Sequence, residues 1–212
     1  MVGDRQWAVY TPDGGIGSGK TSRRFRRIDG LLGYRAFLPA DEPDRPTGSA
    51  RPVPVIESPG GERFRADEPG AGELLTAQLE RPVRLGQEAG VRHYDESALH
   101  LVSTAAVRRL SQLLGEPVDV ARFRPNLVLD VAGTGFVEDD WAGRELRLGE
   151  EVLVRLGTGM PRCVMVDLPQ GELGPDGRIL KLLAAEHQLQ LGLKVEVLRG
   201  GPVRLGDPAV LV

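Results

Sequence analysis

Gly14-Gly15-Ile16-Gly17-Ser18-Gly19-Lys20-Thr21 matches the pattern G-x-x-x-x-G-K-[ST], and the two structures it is compatible with belong to different folds. As a phosphate loop, its glycine amides would cradle phosphates, Lys20 would reach the terminal ones and Thr21 would hold magnesium. A helix must then follow and pack on a parallel sheet. Leu127-Val-Leu-Asp130 would serve as the second, acidic strand. The residues that follow are Ser22-Arg-Arg-Phe-Arg-Arg-Ile-Asp-Gly30, with Phe25 and Ile28 as their only apolar side chains. That is too little to bury a helix face. A β-hairpin suits the stretch better. Trp7 to Tyr10 is a strand-like run, Asp13-Gly14 a turn dipeptide, and Lys20 to Arg27 a basic return limb. The glycine-rich residues are then a mobile hairpin tip, and nucleotide binding through 14–21 stays as the weaker alternative.

Working outward, the next strand candidate is Tyr34 to Leu38. Residues 39–72 are rich in Pro, Gly, Asp and Glu and read as a flexible or inserted segment. Within it Val53 to Ile56 and Phe64 suggest short edge strands, since the prolines argue against central ones. After residue 80 the pattern tightens. Pro82 to Leu85 and Leu99 to Val102 are strand-like. Ser103 caps a helix over 104–114, whose apolar positions Val107, Leu110, Leu113 and Leu114 recur at helical spacing, and Gly115 closes it. Leu127 to Val131 is a strand. Glu145 to Leu148 and Val152 to Leu156 flank Gly149-Glu150 as a hairpin. Cys163 to Val166 reads as a strand and Arg178 to Gln190 as an amphipathic helix. Leu193 to Leu198 and Val203 to Leu211 read as closing strands. Many short strands with two isolated helices predict a mixed α/β, mainly β, barrel-like fold. The expected division is a reduced N-terminal lobe over 1–80 and a second domain over 85–212.

Composition excludes several classes. The chain has 212 residues, 41% hydrophobic and 27% charged, so it can bury a core. No apolar run approaches the roughly 18 residues of a membrane span, and no basic-then-apolar leader opens the chain. One cysteine excludes a disulfide framework and an all-cysteine zinc site. A reducing, cytoplasmic setting follows as the expectation. The net charge of -3 argues against nucleic acid as a partner. Arginine outnumbers lysine 24 to 3, which offers planar contacts to phosphate and carboxylate but is also what codon bias produces.

Several residues carry chemistry. Cys163 follows Pro161-Arg162. A soft thiolate suits a soft or high-valent metal, and an adjacent arginine favours the thiolate. A buried, inert cysteine on a strand is the competing reading. Pro125 should hold Arg124 extended, with its guanidinium at a strand edge where it can fork onto a phosphate. Asn126 can both donate and accept toward a heterocycle edge. Glu138-Asp-Asp140 reads as a solvated run. His93, His100 and His187 show no metal-ligand spacing, and His100 reads as structural. Gly206-Asp-Pro208 reads as a tight turn.

Five ordered stretches carry a family resemblance: Tyr94-Asp-Glu-Ser-Ala-Leu-His-Leu-Val-Ser103, Arg122-Phe-Arg-Pro-Asn-Leu127, Glu138-Asp-Asp-Trp-Ala-Gly143, Pro161-Arg-Cys-Val164 and Val203-Arg-Leu-Gly-Asp-Pro208. In order and spacing they resemble the MOSC family, the C-terminal domain of molybdenum-cofactor sulfurases. The closer likeness is to the amidoxime-reducing component and its bacterial relatives. Gly3 to Trp7 extends it weakly upstream. The resemblance implies a MOSC-type β-barrel over 85–212 that binds the molybdenum-molybdopterin cofactor (Moco). Cys163 would ligate molybdenum and be the catalytic residue. Arg124 and Asn126 would contact the pterin, Arg5 the cofactor phosphate, Ser97 a loop near the pterin, and Arg162 the cofactor beside its ligand. In the family a strand with a Lys-Ser pair, which helps hold that phosphate, precedes the position of residue 1. Lys20-Thr21 is the expected replacement. Lys194 stands where relatives often carry an aromatic residue. The pyridoxal-phosphate desulfurase domain of the sulfurases has no counterpart in these residues. The implied function is reduction of N-oxygenated small molecules. No flavin, haem or iron–sulfur motif is present, so the electrons would come from a partner protein. A non-catalytic cofactor or sulfur carrier is the alternative.

Overall fold

The computed structural model describes residues 3–39 and 52–212. The chain divides into two compact units, Met1–Tyr94 with Leu168–Pro175, and Asp95–Asp167 with Asp176–Val212.

The first unit holds β1 (Trp7–Tyr10), β2 (Ile16–Ser18), β3 (Phe25–Arg27), β4 (Arg35–Phe37), β5 (Val55–Glu57), β6 (Arg63–Arg65), α1 (Ala71–Gln78) and β7 (Arg84–Gln87). They form a four-stranded sheet, β3-β2-β1-β7, and a three-stranded sheet, β4-β5-β6. The stretch 14–21 therefore carries a strand at its centre, and β3, not a helix, follows it. The nucleotide-loop reading fails here, because no helix N-terminus stands behind Lys20. Thr21 Oγ1 instead accepts from the Arg27 amide at 3.2 Å. The return limb also differs from expectation, since β3 lies parallel to β2, with Ile16 opposite Phe25. That path buries Ile16, Phe25 and Ile28, which a simple antiparallel limb need not do.

Residues 40–51 of the expected flexible segment lie outside the described residues. From 52 onward the segment is built into β5, β6 and the start of α1. β5 is the central strand of its sheet, because Pro52 and Pro54 precede it and cost the ladder no donor. Helix α1 was not expected. Its Ala71 and Leu75, four residues apart, are buried with Ile56 and Phe64.

The second unit holds β8 (Leu99–Ser103), α2 (Thr104–Leu114), β9 (Leu127–Leu129), β10 (Glu145–Leu148), β11 (Val152–Pro161), α3 (Ile179–Glu186), β12 (Gln190–Arg199) and β13 (Ala209–Leu211). One six-stranded sheet runs β13-β10-β11-β12-β8-β9, curled into a half-barrel. All its pairs are antiparallel except β8 with β9, which α2 connects. Among the described residues, three α-helices set among thirteen strands make the fold mixed and mainly β.

Side-chain alternation along β8 sends Leu101 to one face and Val102 to the other. Leu101 packs with Leu146, Val154, Leu156 and Leu193. Val102 packs beneath α2 and α3 with Leu110, Phe123, Leu183 and Leu191. Leu191 and Leu193 should share a face at strand period, yet they enter opposite cores. A bulge at Gly192 makes the difference, with the pairing shifted between Gly159–Leu193 and Pro161–Gln190. Gly192 has φ +75°, and a Cβ there would stand 2.1 Å from the Leu101 carbonyl oxygen.

Three more expectations fail locally. β11 stops at Pro161, and Val164–Asp167 is a 3-10 turn, not a strand. Asp167 Oδ1 accepts from the Ile179 and Leu180 amides and so caps α3 from that turn. α3 ends at Glu186 because Gln188 and Leu189 are left-handed, which points the Leu189 amide back to the Leu183 carbonyl. Of the expected closing strand over 203–211, only Ala209–Leu211 pairs, against β10.

Candidate functional site

Cys163 is half-buried between the end of β11 and the 3-10 turn. The residue before it fixes its place. The Arg162 amide donates to the Leu189 carbonyl at 2.7 Å. The Arg162 side chain is buried, at 9% exposure. Its Nε and Nη2 donate to the Leu191 carbonyl at 3.0 and 2.5 Å, and its Nη1 to the Phe123 carbonyl at 3.1 Å. The guanidinium carbon stands 5.4 Å from the Phe123 ring centroid. Burial lowers its pKa to about 10, opposed by electrostatic interaction with Cys163 and Glu138, so it stays charged at neutral pH. Arg162 thus spends its side-chain hydrogen bonds on main-chain carbonyls, as a clamp behind the cysteine.

The clamp reaches the Arg122-Phe-Arg-Pro-Asn126 segment. Val120–Phe123 is a 3-10 turn whose first free amide, Ala121, donates to Asp119 Oδ1 at 2.8 Å. Arg122 Nη1 donates to the Val166 carbonyl at 3.4 Å, which ties this turn directly to the cysteine's. Arg124 is exposed, but it is not extended as expected. It sits at φ 51°, ψ 47°, where its amide donates to the Ala121 carbonyl at 2.9 Å. Pro125 disfavours the right-handed helical region for Arg124, and in the left-handed one Arg124 closes the turn. Asn126 exchanges two bonds with His100: its amide donates to the His100 carbonyl and its Oδ1 accepts from the His100 amide, each at 3.0 Å. His100 Nε2 donates to the Phe123 carbonyl at 3.0 Å, so that carbonyl serves both His100 and Arg162. The structural reading of His100 agrees with this.

Cys163, Arg162, Arg124 and Asn126 therefore belong to one hydrogen-bonded assembly of the second unit. Ser97 precedes β8 in the same unit, its hydroxyl donating to the Leu99 carbonyl at 2.7 Å. Lys194, on β12, pairs with Glu96 at 3.3 Å. Arg5 belongs to the first unit. It is held at φ 55°, its carbonyl accepting from His93 Nδ1 at 2.7 Å, while its side chain meets Asp4 at 3.2 Å. Among the described residues, no group of three or more His, Cys, Asp or Glu could hold a metal ion. The soft donor atom this assembly offers is the Cys163 sulfur.

Sequence reasoning missed Glu138. Asp139 and Asp140 are exposed as expected, but Glu138 has no exposed surface. Ser103 Oγ donates to its Oε2 at 2.5 Å and accepts from the Ala106 amide at 3.0 Å, the N-cap bond of α2. Burial pushes the Glu138 carboxyl above its ordinary value, and the Ser103 hydrogen bond opposes that. Phe136 and Val137 just ahead of the acidic run were the available signal that this segment enters a core. Phe136 stacks on His187 at 3.8 Å, whose Nε2 meets Asp139 Oδ2 at 2.6 Å.

Comparison with known proteins places these residues in a family. The profile of the MOSC domain matches residues 85–210. A molybdenum cofactor sulfurase of Oryza sativa subsp. japonica is 32% identical over 115 residues, which is 50% of this chain but 13% of that protein. The chain thus spans a small part of that relative's length. YiiM from Geobacillus stearothermophilus superposes on 55% of this chain and 54% of its own at 22% identity, with a TM-score of 0.40, too low to carry an argument.

Proposed function

Because the chain belongs to the MOSC domain family, we propose that it holds the molybdenum cofactor through Cys163 and reduces N-oxygenated small molecules. One observation carries this reading. The buried Arg162 clamp ties the only thiol of the chain to the turn that bears Arg124 and Asn126. The donor set fits such a cofactor. A half-buried thiol suits a high-valent metal, and an exposed guanidinium suits a phosphate or pterin edge. Arg124 and Asn126 would hold the pterin side, with Ser97 on the segment entering β8. Arg162 would act from behind, keeping Cys163 in place.

Molybdenum, when bound, supplies two-electron redox chemistry, and the protein positions and shields it. The electrons would come from a separate electron-transfer protein. A free thiol ligand fits the reducing cytoplasm. No helix among the described residues is long and apolar enough to cross a membrane.

The test is reduction of an N-hydroxylated substrate by a chemical electron donor, with cofactor-loaded parent and Cys163→Ser variant. Turnover by the parent and none by the variant supports the reading. Cofactor retained by the parent without turnover would replace it by the carrier alternative.

A further inference from the structure

The first unit carries a cleft of about 390 Å³, within the range of small-molecule sites. Four guanidinium groups line it: those of Arg23, Arg24, Arg26 and Arg84. Arg26 is on β3 and Arg84 on β7, the two edge strands of one sheet. Residues from opposite edges meet at one cleft, which chance scatter of arginines over a surface does not produce.

Most of these groups are held in position. Arg24 donates to the Arg92 and Tyr94 carbonyls at 2.9 and 3.2 Å. Arg26 Nε donates to Asp13 at 2.7 Å. Arg84 lies over the Tyr10 ring, 4.5 Å from its centroid, and the Tyr10 hydroxyl meets His93 at 2.5 Å. Gly86 leaves the room for this stack, since a Cβ there would stand 3.0 Å from both the Arg84 guanidinium and the Tyr10 ring.

Asp13, paired with Arg26 at 2.7 Å, offsets only part of this charge. Asp13 is the carboxylate of the lining, and it already accepts from Thr11 and Arg26, which lower its pKa to about 2. Among the described residues Arg23 and Arg84 make no ion pair with a carboxylate. Four like charges gathered at one cleft repel each other, and an anion with several oxygens relieves that repulsion while accepting forked hydrogen bonds.

We propose that this cleft is a binding site for a small multivalent oxyanion, a phosphorylated metabolite being the class that fits four arginines best. It differs from a phosphate loop: Lys20 and Thr21 are not among its lining residues, and the charge comes from β3, β7 and the loop before β3. Arg5, the phosphate contact the family resemblance implies, does not line it either.

Calorimetric titration of the whole protein with pyrophosphate at low ionic strength tests the site. Citrate, titrated in parallel, shows whether phosphate or carboxylate oxygens are preferred. Arg23→Gln with Arg84→Gln changes two exposed side chains and should weaken pyrophosphate binding about tenfold or more. Arg144→Gln with Arg147→Gln removes the same charge from an exposed part of the other unit and should change affinity by no more than about twofold. The proposal is overturned if the parent shows no saturable binding below about 10 mM. It is equally overturned if the Arg23/Arg84 pair binds like the parent, or if the control pair loses as much.

Discussion

Arg162 keeps its charge where water scarcely reaches, and its three hydrogen bonds to carbonyls hold it there. Lysine would retain the charge but could not fork between the Leu191 and Phe123 carbonyls. A buried acceptor left unpaired costs about 1–3 kcal/mol. Arg162→Lys should therefore lose about 2 kcal/mol in urea unfolding. A loss below about 0.5 kcal/mol would show that the clamp is dispensable. Glu138 makes a second prediction at this scale. A carboxyl whose pKa is higher folded than unfolded binds more protons in the folded state, so it lowers stability as pH rises through that interval. For Glu138 the interval opens at its ordinary 4.5 and extends upward. Glu138→Gln keeps an acceptor for Ser103 and cannot titrate. The difference in unfolding free energy should shift toward the variant as pH rises above 4.5 and level off once both states of the parent are ionised. A difference that stays flat with pH would contradict this.

At the scale of elements, the bulge at Gly192 links the fold to the site. It separates Leu191 from Leu193, and it is the Leu191 carbonyl that Arg162 grips. Gly192→Ala combines a positive φ with a Cβ 2.1 Å from the Leu101 oxygen. We expect about 3 kcal/mol or more of destabilisation, read by thermal or urea unfolding. A change under about 1 kcal/mol would show that the bulge can relax. Ser103→Ala should cost about 1–3 kcal/mol, since the same hydroxyl caps α2 and donates to buried Glu138; an unchanged urea midpoint would contradict it. These elements also show what a sequence lets one read. The β8–α2 unit was legible because Ser103, the spaced leucines and Gly115 agree. The β10–β11 hairpin was legible from its Gly149-centred turn. Helix α1 was not, because two buried residues in eight leave little periodicity. The turn at Val164–Asp167 was not, because a short apolar run reads as a strand whether or not a partner strand is available.

At the scale of the molecule, two compact units divide the recognised chemistry. The five family stretches fall in the second unit apart from Tyr94, and they point to Cys163, Arg162, Arg124 and Asn126 from the sequence alone. What they could not reveal is how those residues are held. The αL turn at Arg124, the carbonyl shared by His100 and Arg162, and buried Glu138 are all tertiary facts, set by neighbours distant in sequence. The arginine cleft of the first unit was equally invisible, since its residues come from opposite edges of a sheet. The central claim is that Cys163 holds molybdenum. Its most direct test is the molybdenum and pterin content of the purified chain, from a host that makes ample cofactor, beside its Cys163→Ser variant. Near-stoichiometric metal and pterin are expected in the parent, with the metal lost from a variant that folds as the parent does. Absence of molybdenum from the parent, or equal metal in both, would contradict it.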